Sequence, residues 1–82
     1  MKITIYSTAN CAACHELTNW LDKLNMEYQK KITDEDPAAM EEFMTVNDGM
    51  IGVPFTIFEN DNGSQIKVSG FDQGRIRQAL GM

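Results

Sequence analysis

The stretch Lys2-Ile3-Thr4-Ile5-Tyr6-Ser7-Thr8-Ala9-Asn10-Cys11-Ala12-Ala13-Cys14-His15 joins a β-rich run, a polar break and two cysteines. From Lys2 to Tyr6, Ile3 and Ile5 alternate with Lys2, Thr4 and Tyr6, the period of a strand with one apolar face. Ser7 to Asn10 breaks that period. Beyond the cysteines, Leu17, Trp20, Leu21 and Leu24 recur at i, i+3, i+4 and i+7, which is one face of an amphipathic helix. Cys11 is thereby expected at or just before the first helical turn, and Cys14 inside it. Trp20 is read as core.

That placement carries chemistry. Only the thiolate attacks a disulfide, and an ordinary thiol with a pKa of about 8.5 is mostly protonated at neutral pH. A helix start presents unpaired backbone N–H groups and the positive end of the helix dipole, both of which favour an anion. Cys11 is therefore the candidate nucleophile. Cys14, one turn further in and more shielded, is the candidate resolving thiol that attacks the Cys11 sulfur once a mixed disulfide has formed. Three other readings compete. Zinc takes about four ligands, whereas the chain has two cysteines and one histidine, His15, so a zinc would have to be shared between two chains. Cys11-Ala12-Ala13-Cys14-His15 also matches a haem-attachment pattern, and two cysteines can simply be buried and inert. His15 lies off the apolar stripe and is expected to face solvent or to support the site from beside the cysteines. No metal is assigned, and the methionines, without ligand spacing, read as core filler.

Further along, Glu27 to Thr33 is a second, weaker strand with Tyr28, Lys30 and Ile32 on one face. Asp34-Glu35-Asp36 before Pro37 reads as an N-cap followed by proline in the first turn. Met40, Phe43 and Met44 are expected as that helix's buried stripe, and Asn47-Asp48-Gly49 as its end. Val53 to Glu59 is a third strand opened by Pro54. The turn Asn60-Asp61-Asn62-Gly63 leads into a return strand from Gln65 to Val68. Ser69-Gly70 then turns the chain into a last helix, with Asp72 as N-cap and Phe71 stapled on Ile76. The order is β-α-β-α-β-β-α, a four-stranded mixed sheet with a parallel first pair, an antiparallel terminal hairpin and three flanking helices.

The 82 residues are expected to form one domain, 1–82. Seven basic and twelve acidic side chains give a net charge of −5, so phosphate backbones and anionic lipid are poor partners. No run approaches the roughly 18 apolar residues of a membrane span, and the amino terminus has no apolar secretory core. A cytoplasmic protein of a bacterial cell or phage-infected host is expected, with a monomer as the default. Two cysteines this close in a reducing compartment point to redox chemistry or metal binding rather than to a structural staple.

The opening Met1-Lys2-Ile3-Thr4-Ile5-Tyr6-Ser7 with Cys11-Ala12-Ala13-Cys14-His15, the pair Val53-Pro54 and the run Ser69-Gly70-Phe71-Asp72 together resemble the glutaredoxin and NrdH-redoxin family. The resemblance spans nearly the whole chain and keeps the family's order. It implies a thioredoxin fold with strand order 2-1-3-4 and a cis Val53–Pro54 bond. It also implies an extended substrate seated against Val53, a dithiol–disulfide oxidoreductase activity on protein disulfides, and ribonucleotide reductase as client. It makes Thr8, Ala12, Ala13, Val53, Pro54, Gly70, Phe71 and Asp72 the residues that line substrate or glutathione. The electron source it implies is glutathione or thioredoxin reductase, with no bound cofactor. Glutathione-using members carry a basic residue three positions before the first cysteine and Pro-Tyr between the cysteines. Here those positions hold Thr8 and Ala12-Ala13, while Asp72 matches the position that holds the γ-glutamyl group. Relatives with altered motifs bridge an iron–sulfur cluster between subunits, and that is the alternative use of these cysteines.

Overall fold

A computed structural model describes residues Met1–Met82. The elements run β1 (Lys2–Ser7), α1 (Ala12–Lys23), β2 (Gln29–Ile32), α2 (Pro37–Val46), β3 (Phe55–Glu59), β4 (Gln65–Ser69) and α3 (Gln73–Leu80). The strands form one sheet in the order β2-β1-β3-β4. β1 is parallel to β2 and antiparallel to β3, and β3 is antiparallel to β4. This is the thioredoxin-fold architecture expected from the sequence.

The sheet separates two cores. On one face Ile3 and Ile5 of β1, Phe58 of β3 and Val68 of β4 pack with Leu17 and Leu21 of α1 and Ile76 and Ala79 of α3. On the other, Tyr6, Phe55 and Ile57 pack with Phe43 of α2. Three rings meet there, with Tyr6–Phe43, Tyr6–Phe55 and Phe43–Phe55 centroids 5.8, 6.2 and 5.7 Å apart. Such pairs add roughly 0.5–1.5 kcal/mol each beyond their area burial.

Several expectations need correction here. β1, read from its alternation as a strand, is buried on both faces from Ile3 to Ser7, with Phe43 of α2 packed on the face that carries Tyr6. The inward residues of α2 are Ala39 and Phe43, with Val46 packed beside them. Met40 and Met44 instead lie 39% and 59% exposed. Successive helical residues are about 100° apart, so a helix seated on Ala39 and Phe43 turns 40 and 44 outward. Of the six methionines only Met26 packs against the core; Met1, Met40, Met44, Met50 and Met82 are exposed. β2 begins at Gln29, not Glu27, and it is an edge strand whose Lys30 is exposed. Val53 and Pro54 precede β3 rather than belonging to it, and β4 runs one residue further, to Ser69.

The caps fall where the side chains predict them. Asp36 accepts from the Ala38 N–H at 3.0 Å with Pro37 in the first turn of α2. Asp72 accepts from the Arg75 N–H at 3.2 Å. Phe71, just outside α3, packs on the core cluster that holds Ile76 and meets Trp20 edge-on at 6.1 Å.

Candidate active site

The sheet register brings the chemistry to one end of the molecule. Tyr6 faces Phe55 and Phe55 faces Ser69. The carboxyl ends of β1 and β4 and the amino end of β3 therefore lie side by side. The cysteine loop leaves from the first, the Val53-Pro54 segment enters the third, and the Gly70 turn leaves the second. Three hydrogen bonds tie this end together. The Gly70 N–H donates to the Pro54 carbonyl at 2.7 Å, from a backbone with φ +82° that favours glycine. The Thr33 N–H and hydroxyl both donate to the Ser7 carbonyl, at 2.8 and 3.1 Å, and fix the point from which the cysteine loop departs. The Val53–Pro54 bond is cis.

Cys11 is the N-cap of α1, with extended backbone at φ −118° and ψ 104°. Its sulfur accepts from the Cys14 N–H at 3.1 Å. A cysteine thus occupies the position that serine, threonine or aspartate usually fills, and a helix-start N–H is aimed at its sulfur. Cys11 and Cys14 are joined in a disulfide, their Cα atoms 5.2 Å apart. Cys14 is 1% exposed, while Cys11 is half-buried. This asymmetry separates an accessible sulfur from a shielded one. The Thr18 hydroxyl donates to the Cys14 and His15 carbonyls at 3.2 and 3.1 Å and steadies this first turn.

The residues singled out by the resemblance fall around this end. Ala12 is exposed, and Thr8, Ala13, Val53, Gly70 and Phe71 are half-buried; Pro54 is buried and Asp72 exposed. His15 faces solvent. Asp34 is a contributor that sequence reasoning missed. Its carboxylate accepts from the Ala9 N–H at 3.0 Å and pins the loop two residues before Cys11. Nothing local signals that bond, which spans 25 positions between two loops.

A second polar node lies on the α2 face. The Tyr6 hydroxyl donates to Glu42 Oε1 at 2.5 Å, and Lys31 Nζ lies 2.6 Å from the same oxygen and 5.9 Å from the Tyr6 ring centroid. The Lys31 hydrogen bond, followed by that of Tyr6, holds the Glu42 carboxyl below its ordinary range. Burial, reinforced by the neighbouring carboxylate, pushes the Tyr6 phenol well above its own.

A cysteine capping a helix, with a shielded partner one turn inside, on a sheet of this order defines a dithiol redox protein of the thioredoxin-fold class. The comparisons narrow the class. The family model described as Glutaredoxin matches residues 3–62. The chain is 26% identical over 81 residues to the SPbeta prophage-derived thioredoxin-like protein YosR of Bacillus subtilis, covering 98% of this chain and 95% of that one. Among solved structures it resembles the NrdH-redoxin of Escherichia coli, with 26% identity and a TM-score of 0.76 over 95% of this chain and 93% of that one. The methanoredoxin of Methanosarcina acetivorans is similar at 26% identity and a TM-score of 0.76, covering 99% and 85%. The chain belongs to the glutaredoxin family and is a thiol–disulfide oxidoreductase.

Proposed function

We propose that this redoxin reduces protein disulfides in two steps, with Cys11 as nucleophile and Cys14 as resolving thiol. The Cys11 thiolate attacks one sulfur of the client disulfide, forms a mixed disulfide and releases the first client thiolate. Cys14 then attacks the Cys11 sulfur. The Cys11–Cys14 disulfide forms, the second client thiol leaves, and two electrons have passed from the redoxin to the client. The observation that carries this reading is the Cys14 N–H at the Cys11 sulfur, because a hydrogen bond to an ionised acceptor is about twice as strong as one to a neutral acceptor. It favours the thiolate over the thiol.

The client is a protein. Ile51, two residues before Val53, is 79% exposed, and Met50 beside it is also exposed, so apolar side chains flank the segment against which an extended peptide would lie. The likeness to an NrdH-redoxin favours ribonucleotide reductase as that client, in the cytoplasm of a bacterial or phage-infected cell. Thioredoxin reductase is favoured over glutathione as electron source. Thr8, Ala12 and Ala13 offer no cation to the glutathione carboxylates, and the E. coli relative is described as having a thioredoxin-like activity profile.

A recycling assay tests the proposal, with a disulfide-containing ribonucleotide reductase as acceptor and either NADPH-thioredoxin reductase or NADPH-glutathione reductase-glutathione as donor. Turnover is expected with the first system, at least tenfold above the second, and none with Cys11→Ser. Undiminished turnover by Cys11→Ser would overturn the nucleophile assignment, and faster recycling by glutathione would overturn the donor.

A further inference from the structure

Two buried hydroxyls have no partner: Ser7 Oγ and Thr56 Oγ1, both on residues with 0% exposure. An unpaired buried hydroxyl forfeits its hydration with nothing in return, so each asks for an explanation. The other buried polar side chains are Thr4, Thr18, Thr33 and Asn47, all uncharged. Of these, Thr18, Thr33 and Asn47 are committed to hydrogen bonds with the Cys14, Ser7 and Gly49 backbones.

The sheet register places the two orphans. Thr56 faces Ile5 on one side and Val68 on the other. Both neighbours belong to the core packed by α1 and α3, and cross-strand partners share a face. Ser7, two residues beyond Ile5, points to the same face one step nearer the cysteine loop. α1 runs back over that face, burying Cys14, Leu17, Thr18 and Leu21 in turn. Leu17 and Leu21 pack in one cluster with Ile3 and Ile5. Cys14, the first buried residue of the helix, therefore covers the end of the sheet that carries Ser7 and Thr56.

We propose that the Ser7 and Thr56 hydroxyls donate hydrogen bonds to the Cys14 sulfur once the disulfide is open, and so stabilise the Cys14 thiolate that performs the resolving step. The proposal rests on the assignment of Cys14 as resolving thiol and adds its activators. Burial disfavours a thiolate, and no charged side chain is buried from any element to offset that. The two hydroxyls are the free donors on the covered face. In the disulfide neither hydroxyl has the Cys14 sulfur or any other acceptor within hydrogen-bond reach, and opening the S–S bond frees the Cys14 side chain to turn toward them. In the mixed disulfide, Cys14 loses its proton to solvent, attacks the Cys11 sulfur and forms the intramolecular disulfide. The departing client thiolate takes up a proton, so the step is balanced in protons and electrons.

The test uses Ser7→Ala and Thr56→Val, singly and together, with Thr56→Ser retaining the oxygen. Stopped-flow single turnovers on a peptide mixed disulfide give the resolution rate, and Cys14→Ser protein gives the rate of first attack. Alkylation of Cys14 in Cys11→Ser protein across pH gives its thiolate profile. Each single variant is expected to lower the ratio of resolution to first attack about tenfold at pH 7, the order of one hydrogen bond to an ion. Its Cys14 alkylation profile should move to higher pH, and Thr56→Ser should restore both. An unchanged ratio and profile in the variants would overturn the proposal, as would an equal slowing of both steps. If Thr56→Val does not fold, Ser7→Ala and the retention of function by Thr56→Ser decide it. Failure of the underlying assignment looks different: Cys14→Ser would then turn over normally rather than stall at the mixed disulfide.

Discussion

Cys11 is both nucleophile and helix cap, and the two roles can be separated by comparing Cys11→Ser with Cys11→Ala under reducing conditions. Neither variant can form the Cys11–Cys14 disulfide, so both are expected to be inactive. They differ in the cap. Serine is among the preferred N-cap residues and its hydroxyl can accept the Cys14 N–H that now meets the Cys11 sulfur at 3.1 Å, whereas alanine leaves that donor unpaired. Replacing a capping side chain by alanine costs about 1 kcal/mol, within a range of 0.5–2. For a domain this small a urea slope of about 1 kcal/mol per molar applies. Cys11→Ala should therefore unfold at a urea midpoint about 1 M below Cys11→Ser, and melt roughly 4–8 °C lower. Equilibrium unfolding followed by far-ultraviolet circular dichroism measures both. Equal midpoints would show that the N–H at position 14 gains nothing from its side-chain acceptor. The proposed stabilisation of the Cys11 thiolate would lose its main support.

Two further predictions address packing and pH. Phe43→Ala empties the α2 core of one of its three rings and should cost about 3–5 kcal/mol, while Met44→Ala, at an exposed position, should stay within about 0.5 kcal/mol of the parent; a large loss at Met44 would contradict the observed helix orientation. Glu42 has its carboxyl held below the ordinary value of 4.5 by Lys31 and then Tyr6, so as pH falls the unfolded chain takes up this proton first. Its contribution is present above pH 4.5 and drains away as the solution is acidified through the folded-state value. With the side chain 43% exposed, the effect is on the order of 1 kcal/mol after screening. The stability gap between parent and Glu42→Gln, read from urea unfolding at pH 7, 5 and 3, should narrow in acid; a gap that widens there would refute the pairing.

The chain's own letters determined the element order, the caps and the redox motif, because these are short-range matters. Asp36 and Asp72 reach N–H groups two and three residues ahead, and Cys11 reaches Cys14 within one turn, so spacing alone reveals them. The resemblance added the strand order and the grouping of Pro54, Gly70 and Asp72 with the cysteines. Only the tertiary structure decided which surfaces are covered. Alternation showed that Lys2 to Tyr6 is a strand, but not that α2 would pack Phe43 on Tyr6 and leave β1 buried on both sides. The same packing chose Ala39 and Phe43 as the inner side of α2 and turned Met40 and Met44 to solvent. The Asp34–Ala9 bond and the unpartnered Ser7 and Thr56 hydroxyls likewise have no signature along the chain. Burial and register arise when distant segments meet, and a local period records a residue's neighbours in sequence, not the layer that closes over it.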